Sequence, residues 1–220
     1  MIKAILWDND GVLVDTETFF FRATKDVLAS LGVHLSKEQF IDYSLVKGYG
    51  FCDYMAAGGL DVSGCEPLRL QRNSLYSSYL RTTHTLIDGV EETLSALHGR
   101  YAMGIVTSSQ REHFDIIHEK TGILKYFDFV ITSDECENTK PHPEPYLKGL
   151  AHAGVSGDEC LVVEDSARGL SAANRAGIKC LMIPHELSGP ENYKGDYLLL
   201  QSIRDVARTI ESITTGCETH

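Results

Sequence analysis

The chain has 220 residues, 43% hydrophobic and 23% charged, enough to bury a sizeable core and to hold one large domain or one domain with a smaller insertion. Its 31 acidic residues against 20 lysines and arginines give a net charge of -11, which opposes nonspecific binding to nucleic acid or anionic membranes and favours a small-molecule partner. No apolar run approaches the ~20 residues of a membrane helix and the first residues lack a signal-type pattern, so a cytoplasmic protein is expected, with a monomer as the default for this size.

In chain order the first element is the apolar run at residues 2–7, read as a buried strand that ends in the quoted stretch "WDNDG". Residues i and i+2 of an extended chain point the same way, so Asp8 and Asp10 face one pocket while Asn9 points elsewhere. Gly11 then permits a tight turn. From residue 16 to 86 no convincing strand occurs. "FRATKDVLASLG" has helical spacing and stops at Gly32, "SKEQF" offers Ser36 as the next N-cap, and "GYGFCDYMAAGG" reads as a glycine-rich turn region, since no strand precedes it as a nucleotide-binding fingerprint demands.

Beyond residue 86 the pattern alternates. Helix-like segments at 90–97, 111–120, 143–153 and 167–176 separate β-like runs at 102–107, 129–132, 160–164 and 178–183, and a helix at 203–213 precedes the patternless tail "TTGCETH", which is expected to fray. Four of the five β-like runs lack strict alternation, as strands covered on both faces do. The fold expected is α/β: a doubly wound, Rossmann-like parallel sheet built from residues 1–15 and 87–220, carrying an inserted α-helical subdomain at 16–86.

Open α/β sheets bind ligands outside the carboxyl ends of their strands. That address collects Asp8 and Asp10, Thr107 and Ser108, Lys140 in a loop stiffened by Pro141 and Pro143, and Glu164 with Asp165. Two carboxylates ~4 Å apart repel by roughly 4 kcal/mol at an effective dielectric near 20, so a cation must hold the cluster together. With oxygen donors only, Mg²⁺ fits best, and Lys140 adds a second positive charge. Thr107 and Ser108 precede a helix whose "SQRE" start reads as a capping box of Ser109 and Glu112, a setting that binds anions. The whole is a dianion receptor containing its own nucleophile, Asp8. Taken singly, each part has a plainer reading: a turn for D-x-D-G, caps for Ser108 and Ser109, a solvated charge for Lys140, a helix start for Glu164 and Asp165. None explains their recurrence at successive strand ends. Six cysteines at irregular spacing and nine histidines without zinc-ligand patterns predict reduced thiols and no zinc site.

"DNDGVLVD", "VTSS", "KPHPEPY" and "VVEDSARGLSAANRAG", in this order, resemble the four signature elements of the haloacid dehalogenase-like hydrolase superfamily across nearly the whole core. The resemblance implies a helical cap inserted after the first strand and Mg²⁺-dependent phosphoryl transfer through an aspartyl-phosphate on Asp8, with Asp10 as acid and then base. It further implies that Thr107 and Lys140 bind the phosphoryl group, and that Asp8, the Asp10 carbonyl and Asp165 hold the metal. Glu164 would orient its water shell or act as a further ligand. Asn9 stands where the family has an apolar residue and is expected to alter packing rather than chemistry.

The cap is similar to those of phosphoglycolate phosphatases and beta-phosphoglucomutases. Phe20 and Phe51 stand where the mutases carry a histidine and an arginine, which favours hydrolysis of a small phosphomonoester such as a sugar phosphate or phosphoglycolate. Arg72, close to a mutase cap lysine, keeps the mutase as the alternative. A non-catalytic phosphate-binding protein is disfavoured because Asp8, Asp10, Lys140 and Asp165 are all present, and carbon–halogen cleavage because dehalogenases lack the second aspartate. Lys47, Arg72 and Tyr76 are the cap residues expected to touch substrate, ordinary helix surface being the plainer reading for all three.

Overall fold

The computed structural model describes residues 1–83, 85–185 and 187–215. Its sheet comprises β1 (Ala4–Trp7), β2 (Ala102–Val106), β3 (Phe129–Ile131), β4 (Cys160–Glu164), β5 (Lys179–Met182) and β6 (Tyr197–Leu199), all parallel in the order β3-β2-β1-β4-β5-β6. The chain starts at β1, builds outward to β3, then returns to β4 on the other side of β1. The carboxyl end of β1 is therefore the crevice where the winding reverses. The five predicted runs are β1 to β5, and β6 is an addition at one edge.

Side chains alternate between two buried faces. Ile5, Trp7, Met103, Ile105, Leu161, Val163 and Leu181 pack on one side against α5 (Val90–Leu97), α6 (Arg111–His118) and α9 (Val206–Thr215). Ala4, Leu6, Val106, Ile131, Val162, Cys180 and Met182 pack on the other against α7 (Glu144–Ala153) and α8 (Ala167–Arg175). With both faces covered, a continuous apolar run is what the sheet requires. Thr214 and Thr215 of the "TTGCETH" tail end α9, and the rest of it lies outside the described residues.

Residues between β1 and α5 form α1 (Glu17–Ser30), α2 (Lys37–Phe40), a π-helical turn (Ile41–Val46), α3 (Phe51–Ala57) and α4 (Cys65–Thr82). They close their own apolar core around Val27, Leu28, Phe40, Phe51 and Met55. Gly32 follows the end of α1, and Ser36 caps α2 in a capping box with Gln39. Two expectations are corrected here. The middle of "GYGFCDYMAAGG" is helix α3, the glycines only flanking it. Cys52 of α3 and Cys65 of α4, with Cα atoms 5.5 Å apart, form a disulfide instead of staying reduced; Cys136, Cys160 and Cys180 are free thiols. Helix packing brings the pair together across 13 residues, which irregular spacing cannot reveal.

The two ends of the insertion are tied to each other. Val14 and Leu86 form an antiparallel bridge, Asp15 N–H donates to the Thr85 carbonyl at 2.7 Å, and Ile87 N–H donates to the Leu13 carbonyl at 3.1 Å. Among the described residues no helix is long and apolar enough to cross a membrane.

Candidate active site

Asp8 prolongs β1, its N–H donating to the Val163 carbonyl at 2.9 Å. The chain then folds over the Asn9 carbonyl, which accepts from the amides of Val12, Leu13 and Val14. Gly11 makes this turn with φ +83, and a Cβ there would come within 2.6 Å of Asp165 Oδ2 and His185 Nε2, so only glycine leaves room for the second acidic strand end.

Lys140 is buried and uses its three protons on Asp8 Oδ1 (2.7 Å), Glu164 Oε1 (2.8 Å) and the Val106 carbonyl (2.9 Å). Burial alone would depress its pKa; the charges of Asp8 and Glu164 outweigh burial and raise it. Glu164 is fully engaged: Oε1 also accepts from Tyr146 at 2.9 Å, and Oε2 accepts from the amides of Asp165 and Ser166 and from the Ser166 hydroxyl. Burial opposes its ionisation, but Lys140 and these donors hold its pKa below normal. A Cβ on Gly169 would lie 1.6 Å from Glu164 Oε1, so α8 presses directly on this carboxylate.

Asp8, Glu164 and Asp165 each bring a carboxylate oxygen within 4.8 Å of the others. Burial raises the pKa of Asp8 well above normal, with Glu164, Asp165 and Asp10 adding to the rise and Lys140 opposing it. Burial likewise raises Asp165, whose Oδ2 accepts from His185 at 2.8 Å and Ser188 at 3.2 Å. Asp8 Oδ2 and Asp165 Oδ1 have no protein donor among the described residues. Crowded carboxylates with oxygens to spare and pKa values forced upward are a set that a hard divalent cation relieves, so the residues fit one. The two with spare oxygens are Asp8 and Asp165, because both oxygens of Glu164 are occupied.

Asp10 is held from four directions. Oδ2 accepts from Ser109 Oγ (2.7 Å), Thr107 Oγ1 (3.2 Å) and Asn9 Nδ2 (3.3 Å), and Oδ1 accepts from Thr16 Oγ1. The Ser109 reading is corrected by this. Helix α6 is capped at Gln110, with Asp134 Oδ2 accepting from Arg111 N–H at 2.6 Å, and the Ser109 hydroxyl goes to Asp10 instead of to a helix end. Ser108 is exposed and lines the cavity over the site.

Asn9 does point away from the acidic cluster, yet it still reaches the chemistry. Its Nδ2 donates to Asp10, so its Oδ1 faces His118 Nε2 at 2.8 Å and requires a proton there; His118 Nδ1 then accepts from Thr121 Oγ1 at 2.9 Å. Burial pushes the His118 pKa down to about 4, against a smaller opposing effect of Asp10, which keeps the ring neutral. The sequence signal for these contacts is slight: an amide at position 9 where an apolar residue is usual, and one histidine among nine.

The insertion closes the site into a cavity of about 290 Å³ lined by Asp8, Asp10, Lys140 and Asp165 below and Glu17, Phe20, Arg72 and Tyr76 above. Burial raises the Glu17 pKa well above normal, and Asp10, Asp165 and Asp8 raise it further. Arg72 and Tyr76 are buried in the cavity wall. Lys47 lines a neighbouring depression with Arg168 and Arg175, and its ammonium stands 2.6 Å from Asp42. Arg168 of α8 donates to the Ser44 carbonyl of the insertion at 3.2 Å and to the Lys140 carbonyl, joining the insertion to the sheet domain beside Lys140.

Against known proteins, the family model described as haloacid dehalogenase-like hydrolase matches residues 5–183. The chain belongs to this family. As a haloacid dehalogenase-like hydrolase it is 29% identical over 206 residues to a pyrophosphatase of Bacillus velezensis, covering 90% of this chain and 92% of that one. It is 27% identical over 194 residues to an N-acetylmuramic acid 6-phosphate phosphatase of Pseudomonas aeruginosa, covering 87% and 85%. A beta-phosphoglucomutase of Clostridium difficile shares the fold, with a TM-score of 0.83, 23% identity and 98% of each chain covered.

Proposed function

We propose that the protein is a Mg²⁺-dependent phosphatase that hydrolyses a small phosphomonoester, a sugar phosphate or phosphoglycolate-like molecule, through an aspartyl-phosphate on Asp8. The observation that carries this reading is the Asp8 carboxylate: one oxygen fixed on Lys140, the other without a protein donor in the cavity wall, and Asp10 beside it in the grip of four donors. Two of the relatives named above, one a pyrophosphatase and one an N-acetylmuramic acid 6-phosphate phosphatase, support it.

In this mechanism Asp8 Oδ2 attacks phosphorus in line with the departing oxygen, and Asp10 gives that oxygen its proton. Asp10, now ionised, takes a proton from water as the water attacks the aspartyl-phosphate, which frees phosphate and restores both carboxyl groups. Lys140 fixes the attacking group and balances phosphoryl charge, with Ser108 lining the same cavity and the buried Thr107 hydroxyl holding Asp10. Mg²⁺, held by Asp8, Asp165 and the Asp10 carbonyl, would neutralise phosphoryl charge and lower the repulsion that the nucleophile meets.

Residues 16–86 act in this proposal as a cap that shuts out bulk water, with Arg72 and Tyr76 in contact with the substrate. The mutase reading is less well supported: Phe20, where a mutase histidine is expected, offers no proton and instead packs its ring on Arg72 and Tyr76. A cytoplasmic monomer serving a small phosphorylated metabolite completes the proposal. The test is phosphate release from a panel of small phosphomonoesters, with Mg²⁺ and with chelator, for the native protein and Asp8→Asn. Metal-dependent release lost in Asp8→Asn supports the mechanism; near-normal release by Asp8→Asn refutes it.

A further inference from the structure

Three residues after β5, His185, Leu187 and Ser188, reach both halves of the molecule. Ser188 N–H donates to the His185 carbonyl at 3.1 Å and Ser188 Oγ accepts from His185 N–H at 2.9 Å, so these two residues are tied to each other. The Leu187 amide donates to His185 Nδ1 at 3.2 Å, which places the ring proton on Nε2, and Nε2 donates it to Asp165 Oδ2 at 2.8 Å. Ser188, fully buried, gives its hydroxyl proton to the same oxygen at 3.2 Å. Both donors thus hold Oδ2 and leave Asp165 Oδ1 uncommitted.

Leu187, next to Ser188 and two residues from His185, serves another surface. It is 4% exposed and belongs to the apolar core of the insertion, with Val27, Leu28, Phe40 and Phe51. Among the described residues it is the one member of that core from outside residues 16–86. Gly189 continues the contact: its φ is +61, and a Cβ there would lie 2.9 Å from Ile41 Cγ2 of the insertion. A connecting segment keeps a fixed position only where something ties it down, and here the tie is an apolar side chain seated in the insertion.

We propose, resting on the Mg²⁺-dependent phosphatase reading, that His185 and Ser188 are positioning residues that aim Asp165 at the metal, and that Leu187 makes their grip depend on the seated insertion. Donors on one oxygen of a ligating carboxylate fix the direction of the other, and losing them costs about 10–100-fold in metal affinity. With Leu187 withdrawn, the two donors keep only their own hydrogen bonds and lose the anchor that orients them. Metal binding and seating of the insertion are therefore coupled, each favouring the other.

The test measures binding of Mn²⁺, which takes the same oxygen ligands as Mg²⁺ and whose free-ion electron paramagnetic resonance signal is lost on binding. His185→Ala is expected to weaken binding by about tenfold or more and to raise the Mg²⁺ concentration for half-maximal phosphate release in parallel. His185→Gln, which keeps a donor, recovers part of the loss. Leu187→Ala, which removes no hydrogen bond to Asp165, is expected to weaken binding by about fivefold or more, with Leu187→Val as the milder variant should alanine not fold. Leu28→Ala makes the same truncation in the same apolar core, but on α1, and is expected to leave binding unchanged; far-ultraviolet dichroism checks the fold of each variant. Unchanged Mn²⁺ affinity in either His185→Ala or Leu187→Ala, with turnover intact, overturns the proposal and leaves the phosphatase. Equal losses in Leu187→Ala and Leu28→Ala also overturn it, because the effect then runs through stability alone. The expected losses in a protein that binds Mn²⁺ but releases no phosphate from any ester sustain the coupling and remove the phosphatase. A native protein that binds no Mn²⁺ removes both.

Discussion

The two ends of the cavity are charged in different ways. At the core end two buried ions have been answered by the fold: Lys140 has Asp8, Glu164 and a carbonyl, and Glu164 has the lysine, a tyrosine and the start of α8. At the cap end Arg72 has two neutral acceptors and His113 Nε2 has no partner. The core end is pre-organised, so little reorganisation accompanies reaction. At the other end a buried cation has only neutral acceptors, so the two ends differ in how far the fold itself answers the charges it buries.

The sharpest probe of the core end is Asp8→Asn, which keeps the shape and removes the proposed nucleophile. Turnover is expected to fall by roughly 10⁴-fold or more with unchanged far-ultraviolet dichroism, as for other nucleophile losses. Next comes Lys140→Ala. It strands two buried carboxylates, and urea unfolding should show a loss of about 3–5 kcal/mol along with the loss of activity. A loss below about 1 kcal/mol would mean that the core end is not the satisfied network described here.

His118 extends the core network behind Asp10, and its burial has a pH signature. Its pKa is near 6.5 in the unfolded chain and about 4 when folded, so between these values the unfolded state binds more protons. The stabilisation is full above the unfolded value and lost as pH falls through this window, up to about 3 kcal/mol. Unfolding midpoints at several pH values should show this slope in the native protein, and a flatter one in His118→Gln.

The smallest effect tests the other end. Arg72→Met removes an unpaired buried charge, so the unliganded protein is expected to stay as stable or to gain about 1 kcal/mol. A loss of several kcal/mol would make Arg72 a structural group and erase the contrast with Lys140.

Much of the core was legible because its rules are local. Five strands announced themselves as continuous apolar runs, and polar residues immediately after them fell at the carboxyl ends of the sheet. Strand β6 did not, since the described residues between it and β5 hold a 3₁₀ turn (Pro190–Asn192) and no α-helix, so it falls outside the alternation that marks the others. Ser109 read as a cap because its real partner, Asp10, is 99 residues away. Asn9 and His118, 109 residues apart, were hidden for the same reason. Glu164 illustrates the limit from another side: its position marks it as a candidate ligand, but only packing reveals that both of its oxygens are already taken. In the insertion, flanking glycines disguised α3, and the Cys52–Cys65 pairing depends on how α3 meets α4.

The clasp at Val14 and Leu86 makes the insertion, in polymer terms, a loop whose ends are already joined. Closure entropy grows only with the logarithm of loop length, so doubling everything between the two clasp strands costs about 0.6 kcal/mol. Lengthening or shortening the connections inside that loop leaves this clasp, which follows the turn over Asn9, in place. The chain thereby separates a part that can be edited cheaply, and that lines the roof of the cavity, from a part in which moving one carboxylate disturbs every other.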